Sequence, residues 1–83
     1  MPSPHDELIA AFGVWNANLA GQIRRDTPLL TSGMLDSLAL FQLLVWMEQK
    51  VGRPIDATAI DMPATWDTVD MIVAFVERER GGK

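Results

Sequence analysis

The sequence predicts a small all-α domain. Its 83 residues leave room for one domain, and a composition of 48% hydrophobic and 22% charged residues is typical of a globular chain rather than a disordered one. Apolar residues recur at three- and four-residue steps in several stretches, and none of these stretches reads convincingly as a strand. We therefore expect a four-helix bundle of three main helices and one short helix, with a long first loop and an ordered part from about 6 to 80.

The first helix is predicted from about Asp6 to Leu19. Asp6 and Glu7 favour the positive end of its dipole, and Gly21 marks the expected exit. His5, just before this helix, is expected to be exposed at a loose N-terminus. The apolar residues that share one face of the helix are Leu8, Ile9, Phe12, Trp15 and Leu19.

Residues 22–35 are predicted to form the long loop, because the helical pattern fails there. Pro28 and Gly33 interrupt any regular element. A loop of this length in a small domain is usually functional or held by a few apolar anchors. Leu29 and Leu30 are the candidate anchors.

The second helix is expected to begin at Asp36 or Ser37 and to end near Val51, with Gly52 as the stop. Apolar residues surround more of this helix than of the first. Its spacing places Phe41 and Leu44 in the core.

Two further apolar residues, Leu40 and Trp46, do not share the stripe of Phe41 and Leu44, so one of them is expected to be exposed.

A short helical turn and the last helix complete the predicted fold. Asp56 is a candidate cap for the short turn, and Pro63 is expected to close that region. The last helix is predicted from about Asp67, with a solvated end at 77–80 and a frayed tail at 81–83. Its inward-facing residues are Val69, Ile72, Val73 and Val76.

Charge and residue usage narrow the functional classes. The formal net charge of −4 disfavours binding to nucleic acid and favours partners with basic surfaces. No cysteine is present, which excludes disulfides and cysteine-based metal sites and suits a reducing cytoplasm. No signal peptide and no apolar stretch of membrane-spanning length is apparent, so we expect a cytoplasmic protein that does not bind membranes.

One junction between loop and helix has the chemistry of an anion site. Gly33 lets the chain turn, Asp36 can accept hydrogen bonds from the first amides of the helix, and Ser37 places a hydroxyl at the helix N-terminus. The helix dipole and free N–H groups favour a phosphate on this hydroxyl. The alternative is that the Asp-Ser pair is only a helix cap.

The segment Gly33-Met34-Leu35-Asp36-Ser37-Leu38 resembles the signature of the carrier proteins of fatty acid, polyketide and nonribosomal peptide synthesis. The resemblance covers the chain from Asp6 to about Arg80. It includes the length of the chain, its acidity, the order of its helices and the position of the motif. It implies a carrier-protein bundle in which a separate phosphopantetheinyl transferase attaches 4'-phosphopantetheine from coenzyme A to Ser37. Asp36 would then cap the helix beside the phosphate, and Leu38 would be the adjacent motif contact.

The same resemblance implies a carrier subunit without catalytic activity or metal of its own. His5 is the only histidine and Lys50 lies at the far end of the second helix, so Ser37 lacks the base that a serine hydrolase needs. The implied partners are the transferase, an ATP-dependent adenylating enzyme, and an acyltransferase or synthase, with the carrier itself a monomer. Its candidate interface residues are Leu38, Leu40, Val45, Trp46 and Met62, although the core remains an alternative place for these apolar side chains.

Two features bear on the cargo. Glu48 is the only acid between Leu38 and Lys50, whereas fatty-acid carriers place several there; Asp56 and Asp61 could serve instead. The segment 66–68, Trp-Asp-Thr, is similar to one in small D-alanyl carriers, although it also reads as an apolar residue packed before a helix cap. A discrete carrier of an acyl or aminoacyl group in polyketide or nonribosomal peptide biosynthesis is the first prediction. The alternatives are a D-alanyl or fatty-acid carrier and a helical docking domain without a prosthetic group.

Overall fold

The computed structural model describes residues 3–81, and this part of the chain is all-helical, as predicted. It contains three long helices and one short one, and no strand lies within the described range. The helices are α1 Pro4–Trp15, α2 Ser37–Val51, α3 Met62–Thr65 and α4 Val69–Gly81, with single 3₁₀ turns at Ala17–Leu19 and Ala57–Ala59. None of the helices within 3–81 combines the length and the hydropathy needed to cross a membrane. Gly81, predicted to begin the frayed tail, is instead the last residue of α4, and the rest of that tail lies outside the described residues.

The α1 helix is shifted toward the N-terminus relative to its prediction. It begins at Pro4, and the Ser3 hydroxyl accepts a hydrogen bond from the Asp6 amide over 3.1 Å. The helix ends at Trp15 because Asn16 is extended and its side chain caps the next 3₁₀ turn instead. The prediction of one helix through Leu19 was therefore wrong, although Leu19 is buried.

His5 does not lie in a loose end, as the sequence predicted, but within α1. Its Nε2 atom lies 3.1 Å from Oδ1 of Asp70 in the first turn of α4, and its side chain is 22% exposed. Arg25 of the long loop places its Nε 3.0 Å from the same Asp70 oxygen. These contacts join α1, the loop and α4 at one end of the bundle.

The hydrophobic core forms where α4 packs against both α1 and α2. The predicted inward face of α4 is confirmed, since all four of its residues are buried. The loop contributes Leu29, which is fully buried, while Leu30 is partly buried against the core. The buried apolar side chains of the core cluster are Leu8, Phe12, Leu19, Ile23, Leu29, Leu43, Met47, Trp66, Val69, Ile72, Val73, Phe75 and Val76.

The buried face of α2 differs from its prediction. Ala39, Leu43 and Met47, spaced four residues apart, face the core. Phe41 is 62% exposed, so its placement in the core was wrong, and Leu44 is only partly buried. Because α2 is apolar around most of its circumference, spacing alone did not identify the face that meets α1 and α4.

The start of α4 also differs, and the difference explains how the long loop is held. Thr68, not Asp67, caps the helix, since its hydroxyl accepts a hydrogen bond from the Met71 amide over 3.1 Å. Asp67 instead accepts hydrogen bonds at 2.9 Å from the amides of Leu30 and Thr31 and from the Thr31 hydroxyl. The Asp67 carboxylate therefore fastens the loop that leads to Ser37.

The segment between α2 and α4 is also held by acidic side chains. Asp56 caps the 3₁₀ turn Ala57–Ala59, as predicted, by accepting a hydrogen bond from the Thr58 amide over 3.1 Å. Pro63 does not close the region but is the second residue of α3, where a missing N–H costs nothing. Glu48 reaches across from α2 and accepts a hydrogen bond from the Ile55 amide over 2.8 Å.

Asp67 makes the loop attachment sensitive to acid. The hydrogen bond from the Thr31 amide, helped by the Thr31 hydroxyl and the Leu30 amide, holds the pKa of Asp67 below its ordinary value of 3.8 against the raising effect of partial burial. A lowered folded-state pKa means that the ionised carboxylate is stabilised more in the folded chain than in the unfolded chain. This stabilisation is therefore complete above pH 3.8 and is lost as the pH falls through the lower folded pKa.

We expect Asp67→Asn to have a smaller loss of stability on acidification than the parent chain. The measurement is the free energy of unfolding in urea at a series of pH values from about 6 downward. Since other carboxylates titrate in both proteins, the difference between the two curves isolates Asp67. Parallel curves through the acid range would contradict this role.

Candidate functional site

The turn that precedes Ser37 is built by Gly33 and by the buried Leu29. Gly33 has φ of 76°, a conformation that residues with a Cβ rarely adopt. The amides of Met34 and Leu35 donate to the Leu29 carbonyl over 3.2 and 3.3 Å. The chain is thus fixed to the core just before α2 begins.

Asp36 is the N-cap of α2, as predicted from the sequence. Its backbone is extended, and its carboxylate accepts a hydrogen bond from the Ala39 amide over 2.8 Å. Ser37 is the first residue of the helix and is exposed. Its hydroxyl makes no hydrogen bond to another residue within 3–81, so the oxygen is accessible to a second molecule.

An apolar groove of about 250 Å³ adjoins Ser37. One wall belongs to α2 and the other to the segment that runs from the second 3₁₀ turn to the residue before Asp67. Of the residues predicted for the site, Ser37, Leu40 and Met62 meet here. The residues that line the groove are Ser37, Leu40, Phe41, Leu44, Ala57, Met62 and Trp66.

Three residues spaced along α2, Leu38, Phe41 and Val45, form what we call the α2 stripe. Leu38 and Phe41 are each 62% exposed, and Val45 is partly buried. Sequence reasoning selected Leu38 and Val45 but assigned Phe41 to the core. A second open groove beside the stripe has only apolar and amide side chains, namely Trp15, Phe41, Gln42, Val45, Trp46 and Gln49.

Leu40 and Trp46 are both partly buried against the core, so the expectation that one of them is exposed was wrong. Leu40 lies in the groove beside Ser37, whereas Trp46 lies in the groove beside the stripe. The Lys50 ammonium lies 5.5 Å from the centre of the Trp46 ring. These two candidate interface residues therefore expose only part of their side chains to solvent, and neither is a fully exposed anchor.

The acidic side chains near the groove are largely engaged inside the chain. Glu48 holds the Ile55 amide, and Asp56 holds both the amide and the hydroxyl of Thr58. Asp61 is exposed and makes no capping hydrogen bond. The side chains that line the groove beside Ser37 are consequently uncharged, and the exposed Asp61 directly precedes Met62 of that lining.

The residues around Ser37 fit a phosphopantetheine group. The exposed hydroxyl begins a 15-residue helix, and the backbone N–H groups of Ser37 and Leu38 precede the first amides bonded within the helix. Trp66 lines the groove beside it, and the buried Nε1 of this residue has no hydrogen-bond partner within the described chain. Among residues 3–81, no group of three His, Asp or Glu side chains is arranged to hold a metal ion.

Sequence reasoning treated Trp66 as packing before a helix cap and did not assign it to the site. The side chain is fully buried and contacts the Phe75 ring edge-on, with centroids 5.4 Å apart. Its position two residues before the Thr68 cap was visible in the sequence, but its place in the groove depends on the fold.

Comparisons with protein-family models, with curated proteins and with solved structures find no match for this chain.

Proposed function

We propose that this chain is an acyl or aminoacyl carrier protein that holds its cargo as a thioester on 4'-phosphopantetheine attached to Ser37. The observation that carries the proposal is the placement of Ser37. An exposed hydroxyl that has no hydrogen-bond partner among residues 3–81 stands on the first residue of a capped helix, beside an apolar groove.

The chemistry of attachment requires an accessible oxygen and a place for a phosphodiester. The Ser37 oxygen would attack the β-phosphate of coenzyme A, forming a new P–O bond as the bond within the pyrophosphate breaks. Adenosine 3',5'-bisphosphate leaves with the bonding electrons, and the serine proton passes to a base of the transferase. The product phosphate lies at the positive end of the α2 dipole, which favours its negative charge.

Cargo and partners follow from the thiol of the attached arm. An ATP-dependent adenylating enzyme would load an acyl or aminoacyl group, and an acyltransferase or synthase would receive it. We place this chemistry in polyketide or nonribosomal peptide biosynthesis in the cytoplasm, with the carrier acting as a monomer. The internal use of Glu48 leaves α2 without a free acid for basic partners, which supports this assignment over a fatty-acid carrier.

Partner recognition would depend on the α2 stripe. Its exposed Leu38 and Phe41 lie one and four residues after Ser37, so an enzyme acting on Ser37 must pass close to them. Apolar side chains at an interface contribute affinity when water is excluded around them. The D-alanyl carrier remains the alternative within the class, since it too uses a short chain and an aminoacyl cargo.

The experiment that tests the proposal is modification by coenzyme A. The full chain is incubated with coenzyme A, magnesium and a broad-specificity phosphopantetheinyl transferase, and its intact mass is recorded. We expect the addition of one phosphopantetheine per chain. The same assay with Phe41→Ala is expected to show slower modification without loss of helix content. An unchanged mass of the parent chain would refute the proposal.

A second candidate function is a docking domain without a prosthetic group. The exposed and uncharged α2 stripe favours it, because such a surface can bind a partner whether or not Ser37 is modified. The two functions differ in the modification assay. A docking domain would keep its apo mass while a carrier would not.

A further inference from the structure

The indole N–H of Trp66 is a buried donor that the described chain leaves without an acceptor. Buried polar groups nearly always have a hydrogen-bond partner, because burial removes the water that would otherwise serve. The edge-on contact with Phe75 offers at most an aromatic face, which is a weak acceptor. This N–H group can therefore still donate a hydrogen bond to an acceptor on a bound group.

The groove beside Ser37 is the place from which that partner can come. Trp66 and Ser37 line the same groove, and the other residues that line it are apolar. Its volume of about 250 Å³ exceeds the roughly 150 Å³ of an apolar cavity that accommodates benzene. A group attached to Ser37 can thus enter the groove, where the lining side chains offer only the serine hydroxyl and the weakly accepting Met62 sulfur as acceptors.

We propose that Trp66 is a specificity-determining residue whose indole N–H donates a hydrogen bond to a carbonyl oxygen of the group carried on Ser37. This inference rests on the proposed function. The carbonyl belongs either to an amide of the arm or to the thioester of the cargo, and the two share the same acceptor chemistry. A purely hydrocarbon segment in the same position would leave the donor unsatisfied and would be disfavoured.

The test follows the indole N–H resonances by nuclear magnetic resonance in three forms of the full chain. The forms are the apo protein, the protein carrying phosphopantetheine, and the protein carrying butanoyl-phosphopantetheine transferred from butanoyl coenzyme A. The chain has three tryptophans, and Trp66→Phe identifies the resonance of Trp66. If that variant does not fold, nuclear Overhauser contacts to Phe75 identify the resonance in the parent chain.

We expect the Trp66 N–H proton to move downfield and to exchange more slowly with water on modification, while Trp15 and Trp46 change less. A change that appears with the bare arm assigns the acceptor to an amide, and one that appears only with butanoyl assigns it to the thioester. As a second measurement, modification should raise the Tm of the parent more than that of Trp66→Phe.

An unchanged Trp66 resonance in protein whose mass proves modification would overturn the inference and leave the carrier function standing. Equal gains in Tm for the parent and Trp66→Phe would overturn it as well. If the mass shows no modification, the proposed function fails, and the inference fails with it.

Discussion

Replacing Phe12 with alanine is expected to destabilise the fold by about 3–5 kcal/mol, the range for a buried phenylalanine. Phe12 has no solvent exposure and belongs to the core cluster, and its ring contacts Trp15 edge-on with centroids 5.3 Å apart. A chain of 83 residues has a total stability of about 4–12 kcal/mol at the usual 0.05–0.15 kcal/mol per residue. The loss is a large share of that total, so the variant should unfold at a much lower urea concentration than the parent, as urea denaturation followed by circular dichroism would show.

The matched control for Phe12→Ala is Phe41→Ala, which removes the same side chain from the surface of α2. Phe41 is 62% exposed, and alanine has the higher helix propensity by about 0.5 kcal/mol. The lost contacts and the gained propensity should offset each other, leaving a change within about 1 kcal/mol. Comparable destabilisation by the two substitutions would mean that Phe41 is buried and that the α2 stripe is not an exposed surface.

The contrast between these phenylalanines shows what periodicity can predict. In α4 the spacing identified Val69, Ile72, Val73 and Val76 correctly, although it missed Phe75, which is also buried. In α2 apolar residues lie on the core side, in the groove and on the stripe, and all three sets have helical spacing. Only packing against the other helices decides which set is buried.

Side-chain hydrogen bonds account for most other differences between sequence and structure. Asp67 and Thr68 are both good caps, and the sequence did not show that Asp67 would bind the loop through Thr31 while Thr68 took the helix. Similarly, Asn16 ends α1 early by capping the following turn. Such choices depend on residues distant along the chain, or on competition between neighbouring caps.

The local part of the candidate site was accessible from the sequence and the nonlocal part was not. The turn at Gly33, the Asp36 cap and the first helical position of Ser37 are set by neighbouring residues, and the structure places each as predicted. The groove depends on how the segment containing Met62 and Trp66 crosses α2. That the Trp66 N–H has no acceptor in the described part of the chain is evident only once the surrounding packing is known.

Replacing Ser37 with alanine is expected to abolish modification by the transferase while leaving the fold intact. The reaction needs the serine oxygen as its nucleophile, and alanine supplies none. The hydroxyl makes no hydrogen bond within the described chain, and the Asp36 carboxylate accepts from the Ala39 amide instead, so removing the hydroxyl costs no hydrogen bond there. Alanine at an exposed helical position should change the free energy of unfolding by no more than about 0.5 kcal/mol.

The informative result is the combination of a complete loss of added mass with unchanged helix content and urea midpoint. A conservative variant, Ser37→Thr, keeps a hydroxyl at the same helix position but adds a methyl group beside the reacting oxygen. It should therefore be modified more slowly than the parent. Addition of phosphopantetheine to Ser37→Ala would place the attachment at another residue. Unfolding of Ser37→Ala would instead show that the hydroxyl is structural, because a side chain that serves only as an attachment point can be removed without cost to the core.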